Sequence, residues 1–192
     1  MDIGGSHDKR PGTKKEKRLG IHETLNVAAW NVRSIGNKES ELVEEIKTKG
    51  IDIAVISETK KKLKATKMIG NYTMLYSGVS QETRAQSGVA LIIDRKWTSR
   101  ITDYSFVNDR IKSVRLKTNR GHITVIGVYT PEEGREEEMR HFYKQLHKEV
   151  DKYSKSDSLI ISGDLNARVG NQPIPNAVGT FGEDCINRNG QT

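Results

Sequence analysis

Leu159-Ile160-Ile161-Ser162-Gly163-Asp164-Leu165-Asn166-Ala167-Arg168 carries an apolar run straight into a polar tail. Three consecutive aliphatic residues flanked by polar ones predict a short buried strand over Leu159 to Ile161. Asp164 and Asn166, two residues apart, then stand where the strand gives way to a loop. Alternate residues of an extended segment point the same way, so one carboxylate and one amide are expected to face a single site. Two earlier stretches repeat the design. Trp30-Asn31-Val32-Arg33 follows a strand predicted over Leu25 to Ala29, and Ser57-Glu58-Thr59 follows one predicted over Ile51 to Ile56. Three polar strand ends in one α/β alternation point to one shared active site.

The rest of the chain fits the same alternation. Residues 1–23 lack apolar periodicity and read as a flexible basic leader, ahead of one domain over 24–192. Asn37 is expected to cap a helix that runs to about Lys49 and ends at Gly50, with Leu42, Val43 and Ile46 as its apolar stripe. Further strands are predicted over Tyr72–Tyr76, Gly88–Ile93, Ile111–Lys117 and His122–Tyr129, with Asn119-Arg120-Gly121 as a hairpin turn. A long helix is expected from Glu133 to Ser154, because Met139, Phe142, Tyr143, Leu146 and Val150 recur at helical spacing. After Asn166 the chain reads as loop. The hairpin requires an antiparallel pair and the crossover helix permits a parallel one, so the sheet should be mixed. Neither a Gly-x-Gly-x-x-Gly after a strand nor a P-loop lysine motif occurs, which argues against nucleotide-binding α/β folds.

The net charge is +7 over 192 residues, which favours a polyanionic partner such as DNA. Lys9, Arg10, Lys14, Lys15, Lys17 and Arg18 cluster near the start. They read either as a solvated tail or as an arm for DNA binding or nuclear targeting. No apolar run approaches the roughly 20 residues of a membrane helix, so no membrane partner is expected. Cys185 is the one cysteine and cannot close an internal disulfide, which points to a reducing, intracellular setting. The nucleus is the expected compartment if DNA is the partner. Oligomeric state is not legible.

Glu58 and Asp164 are hard oxygen donors and Asn31 offers an amide oxygen, a set that suits Mg²⁺, with Mn²⁺ as a substitute. It does not suit structural zinc. Tyr129, at another strand end before Thr130-Pro131, offers a phenol to a phosphate oxygen or simply covers the sheet rim. His122, His141 and His147 lack triad-like neighbours and read as structural or surface residues. Cys185 reads as a bystander.

Trp30-Asn31-Val32-Arg33-Ser34, Ser57-Glu58-Thr59, Ser87-Gly88-Val89-Ala90, Val128-Tyr129-Thr130-Pro131 and Ser162-Gly163-Asp164-Leu165-Asn166-Ala167-Arg168-Val169-Gly170 resemble, in order and spacing, the successive motifs of the endonuclease/exonuclease/phosphatase superfamily. That superfamily includes DNase I and apurinic endonucleases. The likeness is strong to endonuclease domains of non-LTR retrotransposons and to craniofacial development protein 2-like sequences. It implies a DNase I-like four-layer α/β sandwich and Mg²⁺-dependent hydrolysis of phosphodiesters. On matching positions, it implies that Asn31 and Glu58 help hold the metal and that Tyr129 contacts the scissile phosphate. Asp164 would orient or deprotonate the attacking water, and Asn166 would position the phosphate or the developing charge. The resemblance also implies a further metal-site Asp and a final Ser-Asp-His segment that these 192 residues lack, hence an expected C-terminal truncation of the domain and loss of an acid–base partner.

Three functions stay open on these grounds. The first is a DNA endonuclease of retrotransposon origin, active or inactivated by the missing segment. The second is a non-catalytic module that binds nucleic acid or protein. The third is a phosphatase on phosphoinositides or nucleotides.

Overall fold

A computed structural model describes residues 24–153 and 155–191. The basic leader over 1–23 and the expected helix end at Ser154 lie outside the described residues. The chain runs β1 (Val27–Asn31), α1 (Glu39–Thr48), β2 (Ile53–Ser57), β3 (Lys64–Ile69), β4 (Tyr72–Ser77) and β5 (Val89–Asp94). It continues with α2 (Arg95–Thr98), β6 (Ile101–Phe106), β7 (Ile111–Thr118), β8 (Gly121–Tyr129), α3 (Glu136–Val150), β9 (Ser158–Asp164) and α4 (Arg188–Gln191). One sheet has the order β1-β2-β5-β4-β3 and the other β6-β7-β8-β9. Both are mixed. β1 pairs in parallel with β2, β8 in parallel with β9, and all other neighbours are antiparallel.

Apolar periodicity stacks these elements into four layers. Leu42, Val43 and Ile46 of α1 cover Ala54, Ile56, Met74, Ala90 and Ile92 on one face of the first sheet. The opposite face, with Val55, Leu75, Val89 and Leu91, packs on Val114, Leu116 and Val125 of the second sheet. Phe142 and Leu146 of α3 then close the far face over Ile111, Ile126 and Val128. Strand β2 is buried at all five positions, as a central strand covered on both faces must be. Gly127 lets the sheets approach: a Cβ there would stand 3.0 Å from both Leu91 Cδ2 and Val55 Cγ1.

Each parallel pair is joined by a crossover helix, so both of its strands end on the same side of the molecule. That arrangement delivers the C-terminal ends of β1, β2, β8 and β9 to one rim.

Several boundaries differ from the sequence reading. β1 and β2 begin two residues later than expected and extend to Asn31 and Ser57. Asp52 explains the shift, because its Oδ2 accepts from Asn26 N (2.8 Å) and caps the entry before the ladder starts. Asn37 does not cap α1; a turn closed by Lys38 N donating to Ile35 O (2.9 Å) leaves it outside the helix. α3 starts at Glu136 rather than Glu133, after Gly134 takes a left-handed φ of 87°. It ends at Val150. The strand expected over Leu159–Ile161 runs on to Asp164, and the segment read as loop contains α4 and the bridge Val169↔Ile186.

One buried charge stands out in this apolar interior. Lys112 on β7 is fully buried, its Nζ lies 2.9 Å from the centroid of the Phe106 ring, and it has no hydrogen-bond partner among the described residues. Burial pushes its ammonium down to about 7, and the charge of Lys64 acts in the same direction. An unfolded lysine holds its proton to about pH 10.4. Between those values unfolding takes up a proton, so stability rises as pH climbs from 7, and below 7 the burial penalty is present in full. Lys112→Met is expected to raise the unfolding midpoint at neutral pH and to flatten the slope between pH 7 and about pH 10 in denaturant titrations. A slope unchanged by the substitution would contradict this assignment.

Candidate active site

The rim residues converge from both sheets. Asn31 closes β1, and its Nδ2 donates to Glu58 Oε1 and to Asp164 Oδ2, both at 2.7 Å. Glu58 follows β2 of the first sheet, whereas Asp164 ends β9 of the second. One amide therefore joins carboxylates of two sheets, across 133 residues of sequence for Asp164. Arg33 N donates to Asn31 Oδ1 (3.0 Å), which fixes the amide with its nitrogen toward the acids.

Local backbone geometry aims these groups. Gly163 adopts φ 139°, and a Cβ there would stand 2.0 Å from Val128 O, so only glycine lets β9 run beside β8 to the last pair, Tyr129↔Asp164. Glu58, Arg33, Lys60 and Asn166 all take left-handed φ values near 50° although none is glycine. Strained backbone of this kind is held in place only where surrounding contacts over-determine it. Asn166 lies beyond the strand, so the pleat does not pair it with Asp164 as the sequence reading assumed. A side-chain turn does so instead: Asn166 N donates to Asp164 Oδ1 (2.9 Å), and its Nδ2 donates to Thr130 O (2.6 Å). Thr130 N donates to Asp164 O (2.9 Å), closing the group.

Tyr129 is buried beside the Glu58 carboxylate. Burial first, and the Glu58 carboxylate second, push the phenol up to about 12, so it remains a hydrogen-bond donor at neutral pH. Asp164 and Asn166 line a cavity of about 660 Å³ together with Glu132, Glu133, Arg168 and Cys185. Cys185, read as a bystander, is thus part of that wall. Its thiol lies 3.5 Å from Arg168 Nη1. The C-terminal segment completes the wall by Asn187 Nδ2 donating to Asn166 O (2.9 Å) and Asn189 Nδ2 to Pro131 O (3.0 Å). The structure brings Asn31, Glu58, Tyr129, Asp164 and Asn166 to one place. His122, on β8, and the exposed His141 and His147, on α3, do not line this cavity.

Sequence reasoning missed Arg110, whose guanidinium lies 5.0 Å from the centroid of the Tyr129 ring. It also missed Glu132, Glu133 and Arg168. The signal was their position, one to three residues from residues already singled out, or, for Arg110, the polar turn ahead of a predicted strand.

The sequence pattern of the Endonuclease/Exonuclease/phosphatase family matches residues 28–189. The chain belongs to that family. It is 34% identical over 193 residues to craniofacial development protein 2 of Bos taurus, covering all of this chain and 31% of the relative. The chain thus spans about a third of the length of that relative. Among solved structures, an AP endonuclease from Archaeoglobus fulgidus superposes with a TM-score of 0.60 at 19% identity, over 88% of this chain and 67% of the other. The endonuclease domain of TRAS1, a telomere-specific non-LTR retrotransposon, gives a TM-score of 0.58 at 19% identity with the same coverage. These likenesses establish the DNase I-like fold.

The donor set fits a divalent cation of the kind this family uses. Two carboxylates converge on one neutral amide, among the described residues no cationic side chain is hydrogen-bonded to either, and hard oxygens at a rim suit a hard divalent cation. Replacing Asn31 by Ala removes the donor that the two acids share, while Asp164 keeps Asn166 N. The expected loss of stability is about 1–3 kcal/mol, measured by urea denaturation in metal-free buffer.

Proposed function

We propose that this chain is a divalent-metal-dependent phosphodiesterase domain that cuts DNA. The observation that carries the reading is the meeting of Glu58, Asp164 and Asn31 from two sheets beside a buried Tyr129 phenol. Glu58 would hold Mg²⁺ or Mn²⁺, and Asn31 would join it by releasing Arg33 N and turning its amide so that the oxygen faces the ion. The ion would supply Lewis acidity and neutralise phosphate charge.

The side chains divide the remaining work. Asp164 is held by two donors, Asn31 Nδ2 and Asn166 N, which leaves its carboxylate oriented to accept a proton from an attacking water. Asn166 spends one amide hydrogen on Thr130 O and keeps the second for a phosphate oxygen. Tyr129, protonated throughout the neutral range, donates to the phosphate and favours the charge that develops on it. Lys60, two residues past Glu58, and Lys62 are exposed on the adjoining loop, where they suit a polyphosphate backbone. DNA as substrate fits the net charge of +7 and favours a nuclear location.

The non-catalytic reading draws on one observation, that the three histidines on β8 and α3 stay away from the cavity that Asp164 and Asn166 line. Nicking of supercoiled plasmid in Mg²⁺ separates the two. The chain is expected to nick, and Asp164→Asn to slow nicking by about 10²–10⁴-fold, the typical loss of a general base. Salt-sensitive DNA binding with no nicking by either protein would leave the binding module. Faster turnover of an inositol phosphate or a nucleotide than of plasmid would favour the phosphatase.

A further inference from the structure

Arg110 sits in the turn between β6 and β7, and that turn is fixed from three sides. Asn108 Oδ1 accepts from Arg110 N and Ile111 N, both at 2.7 Å. Asn108 Nδ2 donates to Gln145 on α3, and Ser87, on the loop into β5 of the other sheet, donates its hydroxyl to Asp109. These contacts leave the turn little freedom, and a side chain carried on it shares that restraint.

The side chain so held is a guanidinium over the Tyr129 ring, 5.0 Å from its centroid. Arg110 Nη1 donates to Tyr129 O (3.3 Å), and Tyr129 N donates to Arg110 O (2.9 Å), so the same two residues are clamped by side chain and backbone together. Arg110 Nη2 lies 3.6 Å from Glu138 Oε2 on α3. One nitrogen is thus held by backbone and another lies near the exposed Glu138 carboxylate, while the flat face covers the ring. A planar cation does this where an ammonium could not, since it stacks and donates in one geometry.

We propose that Arg110 is the positioning residue of Tyr129, fixing the ring plane so that the hydroxyl faces Glu58 and the phosphate that the proposed reaction brings there. This rests on the phosphodiesterase reading for its catalytic consequence, but the clamp itself does not. Placement errors of about 1 Å at a reacting centre can cost on the order of 10²-fold in rate, so loss of the clamp should be felt mainly in kcat.

A double-mutant cycle on the full chain tests the proposal, read by plasmid nicking. Arg110→Gln is expected to lower kcat about tenfold while KM stays within about twofold. In a Tyr129→Phe background, where no hydroxyl is left to position, Arg110→Gln is expected to change kcat less than about twofold. A full tenfold loss in that background, or no loss in the single variant, overturns the proposal. An activity-independent arm uses the Arg110 Nε–H proton, expected upfield of the other arginines from the ring current and returned by Tyr129→Leu. An unshifted proton overturns the clamp; a shifted proton in a chain that nicks nothing sinks the phosphodiesterase reading instead.

Discussion

The arrangement depends on one neutral amide between two negative charges. Glu58 and Asp164 come from different sheets and would repel at this range, more strongly at a partly dry rim than in open water. Asn31 gives each a donor at 2.7 Å without adding charge of its own. Arg33 N holds the amide oxygen from behind, so the direction of the bridge is set by backbone. The same contact ties β1 to β9 at the end of the sandwich where both strands stop. Sheet packing and site geometry are therefore one constraint.

The rest of the fold serves that meeting. Parallel pairing of β1 with β2 and of β8 with β9 sends four C-terminal ends to one rim. Gly127 sets how closely the sheets pack, and Gly163 lets β9 hug β8 as far as Asp164. Four of the seven non-glycine residues with positive φ among the described residues, Arg33, Glu58, Lys60 and Asn166, lie at or beside the rim. The apolar layers below them are regular, and that regularity is what can hold a strained rim in place.

The central strands were legible because they are covered on both faces and read as unbroken apolar runs, as in Ile53-Ala54-Val55-Ile56 and Val89 to Ile93. The two strands the sequence reading missed, β3 with Lys64 and Lys67 and β6 with Thr102 and Asp103, are both sheet edges. Edge strands carry charge to discourage pairing with other chains, so their composition resembles that of loops. The five residues that meet at the rim could be picked from strand ends and motif order. What brings Asp164 and Asn166 together could not, because a left-handed turn at Asn166 replaces the pleat that the spacing suggested. Arg110 was hidden for a similar reason: its partner is 19 residues away across a ladder whose register the sequence does not print.

Family membership and the meeting of Glu58 with Asn31 beside Asp164 make a cation held by Glu58 the central claim. Calorimetric titration of the metal-free chain with Mg²⁺ tests it most directly. The account predicts one saturable site whose heat disappears in Glu58→Gln while the unfolding midpoint stays near that of the parent. The same isotherm in both proteins would contradict it.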